Sequence, residues 1–192
     1  MQTNTETQTK TPAAPIHRVE NLQAQPAVYV GTFEKYNNGD LTGAWLDVSQ
    51  YPDREAFYEA CAALHADEDD PEFMFQDFQG FPAAYHAESW LDANLWDWLD
   101  LDDDEKEMVE AYHDNIDRDA SIECIKEAYY GTWDSAEEWA ENWLNDSGLL
   151  SEVPEALQHY IDFEAYARDA RMGGDVVFVD NGYRSVMVFA NR

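Results

Sequence analysis

The chain predicts an α+β fold made of three small modules in a row. The first joins a β-sheet to a helix, the second is a helical bundle, and the third joins helices to a β-hairpin. Three observations carry this expectation. β-rich runs of Val, Tyr and Phe stand near both ends, next to Asn-Gly turn signals. From Glu88 the apolar period becomes helical for about sixty residues. Glycines at 80, 131, 148 and 173–174 punctuate the pattern. The expected division is a leader over residues 1–26 and modules over 27–84, 85–122 and 123–192.

Each element has its own local reason. Residues 1–26, rich in Gln, Thr, Pro and Ala, read as a flexible leader. Residues 27–33 form a β-rich run, Asn37-Asn38-Gly39-Asp40 a turn, and residues 41–48 the partner of a hairpin-like pair. Residues 53–64 read as a helix with Phe57, Tyr58, Cys61 and Leu64 on one face. An acidic loop follows over 67–71, then a strand around Phe73-Met74-Phe75 and Phe78. Leu91, Leu95, Trp98 and Leu99 make one helical stripe, and Met108, Val109, Tyr112 and Ile116 a second. Ile122, Ile125, Ala128 and Tyr129 make a third. Ala136, Trp139, Ala140, Trp143 and Leu144 make the clearest one, opened by a Ser135–Glu138 capping-box pattern. Residues 157–170 read as a last helix ended by Gly173-Gly174, before a hairpin turning at Asp180-Asn181-Gly182.

Charge is the dominant anomaly. Between Asp53 and Asp146 stand 29 acidic and four basic residues, a segment charge of −25 out of −30 for the whole chain. With 45% hydrophobic and 14% aromatic residues, seven of them Trp, this is the composition of a folded protein and not of an acidic tail. So negative a surface excludes binding to a nucleic-acid backbone or an anionic membrane, which needs cationic side chains. Basic proteins and metal cations are the partners it admits. No stretch reaches the roughly 20 apolar residues of a membrane span, and a cytoplasmic protein is expected. The only cysteines, Cys61 and Cys124, read as two buried thiols, with a single disulfide as the alternative.

The carboxylates have order. Glu107, Glu110, Asp114 and Asp117 lie opposite the Met108–Ile116 stripe. One carboxylate per three or four helical residues is one charge per about 5 Å of axis, and two such stripes side by side give one per about 2.6 Å. Duplex DNA has one per about 1.7 Å, and at two phosphates per base pair the segment equals about a dozen base pairs. Ordinary solvated helix faces mix Lys with Glu, but this chain has only four Lys.

Competing chemistries fail on spacing. Asp100, Asp102 and Asp104 match the start of a calcium loop, but Glu105 replaces its glycine and Ala111 its final Glu; these aspartates read instead as caps of the next helix. His86 and Glu88 form an H-x-E pair with no P-C-x-x-C after it. No phosphate loop, dinucleotide fingerprint or nucleophile elbow occurs, so no catalytic residue, metal site or cofactor is expected. A halophile surface would spread its charge, whereas residues 147–192 hold seven acids and four bases.

Several blocks carry a resemblance. Tyr29-Val30-Gly31 and Lys35-Tyr36-Asn37-Asn38-Gly39-Asp40-Leu41-Thr42-Gly43-Ala44-Trp45-Leu46 resemble the N-terminal signature of the ArdA antirestriction proteins. Gln76-Asp77-Phe78-Gln79-Gly80-Phe81-Pro82 resembles the next block, with Gln79 in place of an acid, and residues 128–133 a further one. Glu152-Val153-Pro154-Glu155-Ala156-Leu157-Gln158-His159-Tyr160-Ile161-Asp162-Phe163-Glu164-Ala165-Tyr166-Ala167-Arg168-Asp169 is similar to the family's antirestriction motif, with Phe163 where Tyr is common.

The resemblance implies an elongated DNA mimic, dimeric through its C-terminal module, that occupies the DNA-binding groove of the methyltransferase core of type I restriction-modification enzymes. The mimic surface it implies comprises Asp67, Glu68, Asp69, Asp70, Asp102, Asp103, Asp104, Glu107, Glu110, Asp114, Asp117 and Asp119, extended by Glu137, Glu138 and Glu141. Leu157, Tyr160, Ile161, Asp162 and Tyr166 belong to the motif and its expected dimer interface, with plain core packing as the alternative for the apolar ones. The alternatives to this target are another basic DNA-binding protein, served by an acidic mimic or scaffold, and a halophile-type acidic domain.

Overall fold

The computed structural model describes residues 14–19, 25–182 and 185–191. It is α+β, and it divides into two compact units, residues 1–100 and 101–192. The expected boundary after residue 84 thus falls within the first unit, and that after residue 122 within the second.

The first unit is built on a three-stranded antiparallel sheet. Strand β1 (Ala27–Thr32) lies between β2 (Ala44–Asp47) and β3 (Phe73–Gln79). The β1–β2 connection, expected as a loop, contains a short helix α1 (Phe33–Asn37), because Thr32 caps it by accepting the Lys35 N–H. Helix α2 (Arg54–Leu64) starts where Asp53 accepts the Ala56 N–H at 2.8 Å. It buries Phe57, Ala60 and Cys61, and the sheet buries Val28, Val30, Leu46 and Phe75. Phe57 meets Tyr51, Phe75 and Trp96 with ring centroids 5.3, 6.2 and 6.0 Å away. Burying a side chain of this size is worth about 1.5–3 kcal/mol.

Two short strands, β4 (His86–Ala87) and β5 (Trp90–Leu91), pair before helix α3 (Asn94–Leu99). Leu91, expected on a helix, is therefore on a strand. Part of the expected leader is docked: Arg18 bridges Leu46, and the Val19 N–H donates to the Trp45 carbonyl at 2.9 Å. Residues 1–13 and 20–24 of that leader lie outside the described residues.

The second unit begins with α4 (Asp103–Asn115) and α5 (Ile122–Ala128). Strand β6 (Tyr129–Trp133), α6 (Ala136–Asp146), α7 (Glu155–Gln158) and α8 (Phe163–Gly173) follow, then strands β7 (Val176–Asp180) and β8 (Val186–Ala190). The antiparallel sheet has the order β6-β8-β7. The terminal hairpin of the sequence reading is β7–β8, with residues 183 and 184 of its turn outside the described residues. Trp139, Ala140, Ala167, Val176 and Val188 form its core, with Phe178 against Trp139 at 5.2 Å.

Two sequence expectations change here. Tyr129, assigned to a helical stripe, begins β6, whose partner β8 lies more than fifty residues later. The single helix over 157–170 is two, because Asp162 starts α8 by accepting the Ala165 N–H at 2.8 Å. The glycine stop holds: Gly174 takes the left-handed conformation (φ 79°) that ends α8.

Candidate functional site

Helix α4 carries the longest ordered row of carboxylates. Its Met108, Val109 and Tyr112 are buried, so at about 3.6 residues per turn Asp103, Glu107, Glu110 and Asp114 share the opposite, exposed face. The start of the helix is a complete capping box. Asp102 Oδ1 accepts the Glu105 N–H at 2.8 Å, and Glu105 Oε2 accepts the Asp102 N–H at 3.4 Å. Asp103 and Asp104 occupy the first turn, where negative charge complements the helix dipole. Beyond the helix, Asp117 Oδ1 accepts the Asp119 N–H at 3.0 Å. Of the calcium-loop aspartates, Asp102 and Asp104 thus start α4 as their spacing suggested, while Asp100 stands at the end of α3.

Crowding leaves a signature on this face. Burial, reinforced by the neighbouring charges of Asp114 and Glu107, holds the Glu110 carboxyl above its ordinary value. Lys126 lies 2.7 Å from Glu105, which is half-buried and stands off the row. On α6, Glu137 and Glu141 are exposed one turn apart. Glu138 is half-buried and is occupied locally. Its Oε2 accepts the Asp134 N–H at 2.8 Å, while its own N–H donates to Ser135 Oγ at 3.1 Å.

The acidic loop in the first unit is different. Asp69 and Asp70 are exposed, but Asp67 and Glu68 gather around Lys35, whose Nζ lies 3.0 and 3.3 Å from them. The same ammonium donates to His65 Nδ1 at 2.9 Å. His65 is 1% exposed and its Nε2 faces the Val30 carbonyl at 3.3 Å. A carbonyl only accepts, so Nε2 carries the proton and Nδ1 is free to accept from Lys35. Desolvation, with Lys35 nearby, holds His65 below its ordinary pKa. For Lys35, burial acts downward, but the hydrogen bonds and charges of Asp67 and Glu68 outweigh it and raise its value. Ligand atoms of His65, Asp67 and Glu68 come within 4.8 Å of one another, a spacing that would suit a metal ion. The Lys35 ammonium fills that role. Sequence reasoning missed it, because Lys35 and its acids are about thirty residues apart and share no motif.

The motif residues divide in a way the spacing did not show. Leu157 is 53% exposed and Tyr160 76%, so neither is core within this chain. Ile161 is half-buried, and Asp162 is the cap of α8. Tyr166 is half-buried and packs on Trp139 at 6.4 Å. Gln158 ties α7 down by donating to the carbonyls of Leu150 and Val153, both at 3.0 Å. Arg168 makes an exposed 3.4 Å contact with Asp169, a simple surface pair. Cys61 is buried, which pushes its thiol pKa up, whereas Cys124 is exposed, contrary to expectation. Cys124 sits in the first turn of α5 beside Glu123, away from the buried Ile125 and Ala128.

The carboxylates of loop 67–70 and those of 102–141 belong to different units. Among the described residues, no helix is long and apolar enough to cross a membrane. The family model of the antirestriction protein ArdA matches residues 28–185, most of the chain. The chain belongs to the ArdA antirestriction family. No curated protein sequence matches it. Antirestriction is the function of the ArdA family, whose members are inhibitors and not enzymes, and interaction with type I restriction enzymes in general goes with it. The matched span takes in α4, α6 and the 152–169 motif, so the acidic faces lie within the ArdA region.

Proposed function

We infer that this ArdA-family chain inhibits type I restriction-modification enzymes by competing with DNA for the groove of their methyltransferase core. The observation that supports this most is the α4 face. Asp103, Glu107, Glu110 and Asp114 form one exposed row, backed by a buried Met108–Val109–Tyr112 stripe that keeps the helix rigid. Carboxylates held this way meet Lys and Arg groups that otherwise contact phosphates, with no chain ordering needed at the moment of binding. Asp69, Asp70, Asp117, Asp119, Glu137 and Glu141 add further exposed charge, whereas Asp67 and Glu68 contribute less because Lys35 offsets them.

The active form is a homodimer, and the cell compartment is the cytoplasm, where restriction enzymes meet incoming DNA. Exposed Leu149, Leu157 and Tyr160 in the 149–160 segment support a subunit contact through the motif. The test is displacement: purified protein is titrated into a type I methyltransferase holding fluorescent duplex DNA, at rising salt. DNA release that is strong at low salt and falls steeply as salt rises is expected. Retention of the DNA at low salt overturns this target.

A further inference from the structure

A second feature of the C-terminal unit lies between β6 and α6. Tyr130, Trp133, Trp139, Asn142, Trp143 and Asp146 line a cleft of about 220 Å³. Its assembly departs from regular strand geometry. Tyr130 and Trp133 are three apart, so on an unbroken strand they would point to opposite faces. The β6–β8 register shifts between Tyr129 and Gly131, which adds one residue and reverses the parity. Tyr130 is the extra residue, and Gly131 beside it takes φ 112°, a conformation strained for any side chain, where a Cβ would lie 3.3 Å from the Trp133 indole nitrogen. Trp133 Nε1–H donates to the Tyr130 carbonyl at 3.3 Å and fixes the ring.

Helix α6 supplies the other wall through Trp139, Asn142, Trp143 and Asp146, one stripe at i, i+3, i+4 and i+7. Trp143 lies 5.2 Å from Tyr130 and 6.0 Å from Trp139, nearly parallel to the latter at 20°. Tyr130 and Trp143 each keep 37% of their surface exposed. The Asn142 amide nitrogen donates to the Glu138 carbonyl at 2.9 Å, leaving its Oδ1 as an acceptor. The cleft therefore offers aromatic faces, one carboxylate and one amide oxygen.

A π-rich lining that also holds a carboxylate and an amide oxygen suits a cation. Among the described residues no cation lines it, residues 127–167 contain no Lys or Arg, and Asp146 gives the lining a net negative charge. We propose that this cleft is a binding site for an arginine side chain of a partner protein. The flat guanidinium stacks against Trp143 and Tyr130 and donates in its own plane to Asp146 and Asn142. A lysine ammonium has no flat face to stack and fewer donors to spread over two acceptors.

This goes beyond competition for the DNA groove, since arginine binding does not require a restriction enzyme. The experiment uses the full-length chain with ¹⁵N-labelled indoles, titrated with N-acetylarginine methylamide. The expected result is a saturable shift of the Trp133 and Trp143 indole signals, with Trp45, Trp90, Trp96 and Trp98 unmoved. Asp146→Asn, at an exposed position, weakens the affinity about tenfold and Trp143→Leu removes the response. Equal shifts with the uncharged citrulline derivative, equal affinity for the lysine derivative, or an unaltered response in Asp146→Asn would each overturn the proposal. Because DNA displacement is read separately, a silent cleft and a failed competition are distinguishable.

Discussion

The Nζ of Lys35 lies 2.9 Å from Nδ1 of the buried His65, so one lysine bridges two carboxylates, offsets one of their charges and also donates to an imidazole nitrogen. In a chain of net charge −30, this is a cation held inside the fold and not displayed.

Replacing Lys35 with Met therefore costs stability without adding useful charge. Glu68, with only 10% of its side chain exposed, loses its ion pair and keeps only the Thr32 hydroxyl at 2.8 Å. The expected loss is about 1–3 kcal/mol, measured by urea denaturation. Wild-type stability in Lys35→Met would show that the cluster is not structural.

His65 makes the first unit sensitive to acid. Its folded pKa is below the ordinary 6.5, so as pH falls the unfolded chain takes up the proton first. The stability that depends on neutral His65 is intact above pH 6.5 and declines as pH drops below it. Histidine ring titration by NMR is expected to place both His65 and His86 below 6.5, since burial depresses both. A His65→Phe variant loses less stability than wild type between pH 7.5 and 5.5, roughly in line with a group that no longer titrates. Midpoints at or above 6.5 contradict the burial argument.

The acidic face of α4 acts as a sum. Any one of Glu107→Gln, Glu110→Gln, Asp114→Asn or Asp117→Asn changes DNA displacement less than about twofold, because exposed charges are well screened. All four together weaken it at least about tenfold and flatten its salt dependence. The same quadruple variant melts at a higher temperature, since neutralisation relieves the mutual repulsion that, added to burial, raises the Glu110 pKa. Weaker inhibition with higher stability is the diagnostic pair, and collapse in a single variant argues for another mechanism.

Asp102 separates capping from mimicry. Asn caps a helix about as well as Asp, whereas Ala loses about 1 kcal/mol. Asp102→Asn is expected to keep its stability and Asp102→Ala to lose it, with both removing the same charge from displacement assays. Thermal unfolding read by circular dichroism checks the difference, and equal melting temperatures would deny Asp102 its cap.

Local chemistry made some elements readable from sequence, and distance hid the others. Asp53 and Ser135 announce α2 and α6 because each cap and its apolar stripe fall within one stretch of chain. The exposed row on α4 follows from periodicity in the same way. Strand β6 was hidden because Tyr129 continues the helical spacing of Ile122 and Ile125, and only pairing with β8 overrides it. The break before α8 was hidden because Asp162 looks like a helix interior residue until its side chain is seen capping. The Lys35 cluster depends on a contact across the fold that no spacing encodes.

The order β6-β8-β7 has a temporal consequence. β8 is the central strand, yet it follows both of its neighbours in the chain. During synthesis β6 and β7 must wait for it without a ladder partner, and Val188, part of the core beneath α6 and α8, arrives with it. A chain arrested before Val186 would contain every carboxylate of the acidic surface and lack the strand on which that surface's C-terminal support is assembled.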